Sequence, residues 1–573
     1  MKKGLAASDG IGIGKTFRAD SHLNNTVEYI VGDIDKEIAR FEQAVASFVT
    51  DTEKKIERVK TNNAPEQANL QADVLSGRIV MISDPYLIGE VTNAIKSGQS
   101  ALIAVQKALE VFEKMFASSD DPYMAERAAD VRELSQAIVN KLKGIQEPDL
   151  SNLPNGTVLV AYEITASMLA DIAGSDSVVA LLGTIGGFTS HCSILARNMG
   201  LPAVFEIELD DIKDGTTVIV DGGKGEVFLS PDKKNVETYT AQYNAKLELE
   251  KKMQAYKSKP TTLKSGEHTH VYCNIGNTSD AKAAFESSAE GVGLFRTEFL
   301  YMQYTTAPSE EMQFLAYKTA ATSLNGLPVI IRTLDVGGDK DIPYLNLPKE
   351  ENPFLGFRAI RYCLTRTDIF EVQIRAILRA SAFGKIKIML PMISDVSEVR
   401  KSKILIEKVK KDLDKDKIEY DKNIQVGIMT ETAASALIAD VLAKEVDFFS
   451  IGTNDLTQYV MSADRGNADV AHLCSVFYPA VLRAIKSIIL AAKKAKIEVA
   501  MCGEAAADQL MLPLLLSWGL DEFSVGAKSV LKVRAGIAQW DKVETDKVEK
   551  HAMGLATTDE IKDYLKSVVK VLG

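Results

Sequence analysis

Cysteine is scarce in this chain of 573 residues, and the five present (Cys192, Cys273, Cys363, Cys474 and Cys502) are odd in number and scattered. They form no CxxC pair and no metal-type spacing. That excludes a disulfide framework and predicts a reduced, cytoplasmic protein. Histidine is rare too, with six residues. No apolar run is long enough to span a bilayer, and Met1-Lys2-Lys3-Gly4-Leu5 leads into no signal-peptide core, so membrane insertion and secretion are not expected. Positive charge is not in excess: the net charge of -11 argues against a nucleic-acid or anionic-membrane partner. No GxxxxGK followed by Ser or Thr occurs, so ATP lacks its commonest cradle. The glycine cluster Gly10 to Gly14 lacks dinucleotide-binding spacing and reads as a turn.

What is present is an ordinary globular composition, 46% hydrophobic and 25% charged, in a chain too long for one core. Residues 1–22 are glycine-rich and strand-like. Residues 23–145 turn helical, with Ile38, Phe41, Ala44, Val45 and Phe48 at helical spacing. Ser83-Asp84-Pro85 and Asp120-Asp121-Pro122 carry helix-start signals, a capping residue followed by proline. Residues 146–230 alternate short strands with helices, so the helical block reads as an insertion into a small α/β domain. Residues 231–260 predict a charged linking helix, or else a solvated surface helix of either neighbour.

From 261 to 573 strands and helices alternate, the pattern of a (β/α)8 barrel. Seven strands are legible: Val271 to Ile275, Gly291 to Leu294, Val329 to Thr333, Lys387 to Met389, Val426 to Met429, Phe448 to Ile451 and Val499 to Met501. An eighth is expected between Phe354 and Phe383. Arg296, Arg332, Glu431, Asn454-Asp455 and Cys502 fall at or just after the ends of five strands. In such barrels the C-terminal strand ends carry the chemistry, so these residues predict one convergent site; the competing reading is a set of surface ion pairs.

With Arg358 and Arg465 added, arginines dominate that site. Arginine grips carboxylate and phosphate oxygens bidentately, so the expected ligand is a small polyanion. Glu431 and Asp455 among these cations fit Mg2+, which takes one or two carboxylates plus substrate oxygens; the alternative is that they pair structurally with the arginines. His191 stands apart from the other histidines. It lies in Gly186 to Arg197 (GGFTSHCSILAR), after a glycine pair and two hydroxyl residues and before a helix pattern. A neutral imidazole at a helix start that can receive phosphate is a competent nucleophile; an incidental histidine in a capping loop is the rival reading.

These motifs resemble one family, enzyme I, the phosphoenolpyruvate–protein phosphotransferases of the bacterial sugar phosphotransferase system. The resemblance spans nearly the whole chain. It rests on Asp447 to Arg465 (DFFSIGTNDLTQYVMSADR), Gly291 to Phe299 (GVGLFRTEF), Ile331 to Lys340 (IRTLDVGGDK), Asn352 to Arg358 (NPFLGFR), Cys502 to Glu504 (CGE) and Glu126 to Arg132 (ERAADVR). It implies an α/β phosphohistidine domain (1–22 and 146–230), an inserted helical subdomain that docks the carrier protein HPr (23–145), a linker helix (231–260), and a barrel binding phosphoenolpyruvate and Mg2+ (261–573). By resemblance His191 is the phosphorylated residue. Arg296, Arg332, Arg358, Asn454, Asp455 and Arg465 hold phosphoenolpyruvate, Glu431 and Asp455 ligate Mg2+, and Cys502 protonates the enolate. A homodimer through the barrel is also implied.

The match has departures. Phe188 stands where the family's histidine loop has arginine, and Cys192 where it has a small residue. Leu169 replaces a threonine that orients the imidazole, and Ala433 replaces a proline. The altered loop admits an alternative, a non-catalytic regulator that senses phosphoenolpyruvate. Cys502 argues against it, because a sensor needs no proton donor.

Overall fold

The computed structural model describes residues 1–19, 33–62, 65–117, 122–144, 150–172, 175–187, 191–302, 304, 306–337, 342–467 and 469–570. It divides into two compact units, Met1–Lys246 and Leu247–Gly573.

The first unit is built on eight strands: β1 (Lys2–Lys3), β2 (Leu5–Ser8), β3 (Ile11–Arg18), β4 (Thr157–Glu163), β5 (Val178–Ile185), β6 (Ala203–Phe205), β7 (Thr217–Asp221) and β8 (Glu226–Leu229). They lie in the order β1-β8-β7-β3-β4-β5-β6-β2. The central β3 to β6 run parallel, and the flanking strands are antiparallel. Alternation along each strand splits the core. Val158, Val160, Ala180 and Leu182 pack with Val218 and Val220 on one face. Leu159, Ala161 and Leu181 face the other way, toward Leu169 and Ile172 of helix Ala166–Ile172 and Leu195 of helix His191–Met199. Because both faces are covered, these strands read as continuous apolar runs.

The glycine cluster is not the expected turn. Gly12 and Gly14 lie inside β3. A Cβ on Gly12 would stand 2.4 Å from the Val179 carbonyl oxygen, and one on Gly14 2.0 Å from that of Gly156. The glycines are there because neighbouring backbone comes too close for a side chain.

Between β3 and β4 lie the helices Ile34–Asn62, Pro65–Ile82, Pro85–Lys96, Ala101–Ala117 and Pro122–Lys143. They own a separate core, with Phe41 and Phe48 packed among Leu87, Val91, Val105, Leu134 and Ile138. Asp84 caps its helix as expected, accepting from the Tyr86 and Leu87 amides at 2.7 and 3.4 Å. The other expected start, Asp120-Asp121-Pro122, has its helix beginning at Pro122; Asp120 and Asp121 lie outside the described residues. Helix Lys233–Gln254 carries the boundary between the two units within it. Among the described residues no helix is long and apolar enough to cross a membrane.

The second unit is a closed, all-parallel barrel of β9 (His270–Ile275), β10 (Val292–Arg296), β11 (Val329–Arg332), β12 (Ile386–Leu390), β13 (Val426–Thr430), β14 (Phe448–Ile451), β15 (Glu498–Met501) and β16 (Glu522–Val525). Pairing of β16 with β9 completes the ring. Phe295, Ile331, Ile388 and Phe449 belong to the large core shared with the surrounding helices. Leu294, Ile330, Met389, Met429, Phe448 and Cys502, contributed in turn by β10 to β14 and the end of β15, form a cluster of their own. The eighth strand is Glu522–Val525, not a segment between Phe354 and Phe383, where the helices Ala359–Thr365 and Thr367–Ser381 lie. Glu522 and Ser524 are buried polar residues in a strand of four, so apolar patterning passed over it.

Candidate active site at the barrel mouth

Parallel strands deliver their C-terminal residues to one rim, and the charged groups gather there. Arg332 ends β11 and is 6% exposed. Its guanidinium meets Glu298 at 2.7 Å and Asp335 at 2.9 Å. Asp335 also holds Arg358 at 2.9 Å, and so bridges two arginines. Arg358 donates to the Tyr459 hydroxyl at 3.1 Å and meets Asp455 at 3.3 Å. Arg465 reaches the second oxygen of Asp455 at 3.4 Å. Arg332, Arg358 and Asp455 are thus joined in one buried network, which the exposed Arg465 extends, against the reading of scattered surface pairs. Buried charges persist only when paired in this way.

Glu431 follows β13 and is 2% exposed. It accepts from the Met392 amide at 2.6 Å. Burial, with Asp455 and Asp335 nearby, pushes its carboxyl up to about 8 against the pull of Arg332 and Arg358. A Cβ on Gly452 would lie 2.7 Å from a Glu431 carboxylate oxygen, so glycine there leaves room for the acid. Asn454 exchanges hydrogen bonds with Glu504 at 3.2 and 3.4 Å. Arg296 ends β10 beside a cleft of about 560 Å³, shared with Asn274, Asn277, Asp280 and Phe299. Among the described residues Arg296 makes no ion pair, which leaves its fork open to an anion.

Cys502 follows β15 and is 3% exposed. Its amide donates to the Ile451 carbonyl at 3.1 Å, and its own carbonyl accepts from Asn274 at 3.1 Å. Burial pushes the thiol up to about 11; Glu431 adds to that, while Ser450, Arg332 and Arg296 oppose it. The sulfur therefore carries its proton at neutral pH.

Two carboxylates, one of them with the buried oxygen Asp455 Oδ1 facing Arg465 at 3.4 Å without a hydrogen bond, fit a hard divalent cation completed by ligand oxygens. Among the described residues no cluster of three or more His, Cys, Asp or Glu side chains could hold a metal by itself.

His191 belongs to the first unit, where it opens the helix His191–Met199. Phe188, Thr189 and Ser190 lie outside the described residues. Ser193 donates to the Gly187 carbonyl at 2.6 Å, which ties the glycine pair to that helix. Leu169 is fully buried in the sheet's core, and Cys192 is half-buried. Ala433 opens the helix Ala433–Leu437, capped by Thr432, so the site's backbone needs no proline there.

Glu298, Asp335, Tyr459 and Glu504 lie inside the matching motifs, but the sequence assigned them no role. Asp335, three residues after Arg332, was within reach of a spacing argument; Glu298 stands two after Arg296 yet pairs with Arg332.

The barrel and its arginine–carboxylate rim define a (β/α)8 barrel protein with a site for a small polyanion at its mouth. The profile of the PEP-binding domain of PEP-utilising enzymes matches residues 250–542, that of their mobile domain residues 153–225, and that of their N-terminal domain residues 3–127. The chain is 40% identical over 571 residues to the phosphoenolpyruvate-protein phosphotransferase of Bacillus subtilis (strain 168), covering 99% of each. It is 40% identical to that of Geobacillus stearothermophilus, with 98% of this chain and 97% of the relative covered. It is 38% identical to that of Staphylococcus carnosus (strain TM300), with 99% of each covered. The chain belongs to the phosphoenolpyruvate-protein phosphotransferase family.

Proposed function

We propose that the chain takes the phosphoryl group of phosphoenolpyruvate onto His191, releases pyruvate, and passes the group to the carrier protein HPr as the first step of sugar uptake. The observation that carries this reading is the rim where Glu298, Asp335 and Asp455 pair with Arg332, Arg358 and Arg465, with Arg296 making no ion pair among the described residues and the buried, protonated Cys502 thiol at the end of β15. Arg296, Arg332, Arg358, Asn454 and Arg465 hold the phosphate and carboxylate oxygens. Such fixed cations neutralise charge on the phosphoryl oxygens as the bond to the enolate breaks. Glu431 and Asp455 would hold Mg2+, which when bound neutralises charge on the same oxygens. His191 attacks phosphorus in line, and the Cys502 sulfur delivers its proton to the methylene carbon.

The exposed apolar residues Val80, Tyr86, Val111 and Met115 on the inserted helices support their role in docking HPr. Exposed Phe299, Met302, Tyr304 and Leu315 support a homodimer through the barrel, which sedimentation tests. Free cysteines support a cytoplasmic setting.

The decisive experiment labels the protein with radioactive phosphoenolpyruvate and locates the phosphopeptide by mass spectrometry. Label is expected on His191 and is lost in His191→Ala. Label that survives the substitution sinks the reading.

A further inference from the structure

Ser450 lies on β14 with no exposed surface. It stands in register with Met429 of β13 and Ala500 of β15, two residues before Cys502. Its hydroxyl completes no hydrogen bond among the described residues, an uncommon condition for a fully buried oxygen. The resting thiol directs its own weak bond elsewhere, to the Ile451 carbonyl at 3.8 Å. Ser450 immediately precedes Ile451, whose carbonyl takes both the Cys502 amide at 3.1 Å and the thiol at 3.8 Å, so its hydroxyl lies on the strand that holds the sulfur. A donor held without a partner, beside a group that becomes an anion during the reaction, is preorganised for that anion.

We propose that Ser450 is a positioning residue for proton donation, its hydroxyl turning to the Cys502 sulfur and holding it as the thiolate left when the proton departs. In that step the enolate's carbon–carbon π pair takes the proton from sulfur. A C–H bond forms, the S–H bond breaks, and the enolate oxygen's charge folds into the pyruvate carbonyl. The electron pair stays on sulfur and accepts from the Ser450 O–H, which keeps its own proton. Solvent reprotonates the thiolate as pyruvate leaves. The inference rests on Cys502 being the acid. Glu431, Arg332 and Arg296 also bear on the sulfur and stay in place in the variants below.

The test compares Ser450→Ala and Ser450→Thr with the parent enzyme. Single-turnover pyruvate formation in Ser450→Ala is expected to slow about tenfold or more, with KM for phosphoenolpyruvate unchanged, since a bond to a charged partner is lost only after substrate is bound. The pH midpoint for iodoacetamide alkylation of Cys502, followed on its peptide by mass spectrometry, rises by about one unit. Ser450→Thr restores both. A Ser450→Ala enzyme with the parental alkylation profile and pyruvate rate overturns the proposal, whatever happens to its melting temperature. Cys502→Ala separates the layers: pyruvate formation at the parental rate in this variant overturns the role of Cys502 itself.

Discussion

Asp335 is 2% exposed and neutralises Arg332 and Arg358 together. Removing one partner of a buried pair strands the other charge, so Asp335→Ala is expected to cost about 3–5 kcal/mol of barrel stability. Urea unfolding followed by tryptophan fluorescence checks this, because both tryptophans, Trp518 and Trp540, are buried in the barrel unit. KM for phosphoenolpyruvate rises in the same variant as the two guanidinium groups lose their common anchor. Cys502→Ala acts differently: it leaves binding intact and slows pyruvate release about 10²- to 10⁴-fold, the usual worth of a positioned acid, as read by rapid quench. Arg296, Arg332 and the Cys502 thiol were legible in the sequence because they end or follow apolar strands. The partners that orient them were not, since Tyr459 meets Arg358 across 101 residues of chain.

Strand β16 carries a pH dependence of its own. Glu522 is buried at its start, with one carboxyl oxygen lacking a hydrogen bond. Burial first, then Glu498 and Asp521, push its carboxyl up to about 8 against the pull of Lys387. The unfolded chain ionises near the ordinary value of about 4.3. The fold therefore favours the neutral acid; that contribution is complete below pH 4.3 and is lost as pH rises through 8. Glu522→Gln is expected to raise the melting temperature at pH 8 by a few degrees, with the gain vanishing at pH 5, as calorimetry at the two pH values reads. The same residue explains why this strand was misplaced in the sequence: a buried acid and serine look like loop chemistry until the barrel closes around them. Elements whose signal is local, such as the helix begun by Asp84-Pro85, were read correctly because capping depends on neighbours in sequence.

At the scale of the whole chain, His191, the proposed nucleophile, and the barrel rim proposed to bind phosphoenolpyruvate belong to different compact units. A ligand that binds one folded unit stabilises that unit alone, by about 2.7 kcal/mol at a hundred times its Kd. Phosphoenolpyruvate with Mg2+ is expected to raise the calorimetric transition of the barrel and leave that of the first unit in place. His191→Ala keeps this shift while losing all phosphorylation, and chelation abolishes it. The sequence by itself determined the fold class, the arginines, acids and thiol of the rim, and the histidine at its helix start, because strand ends, glycine pairs and helix starts are written in adjacent residues. Tertiary structure alone decided that Asp335 bridges two arginines, that Glu522 closes the barrel, and that Ser450 lies beside the thiol. The barrel closure and the place of Ser450 depend on the parallel register of strands distant in sequence, and the Asp335 bridge on the segment carrying Arg358 returning to the end of β11.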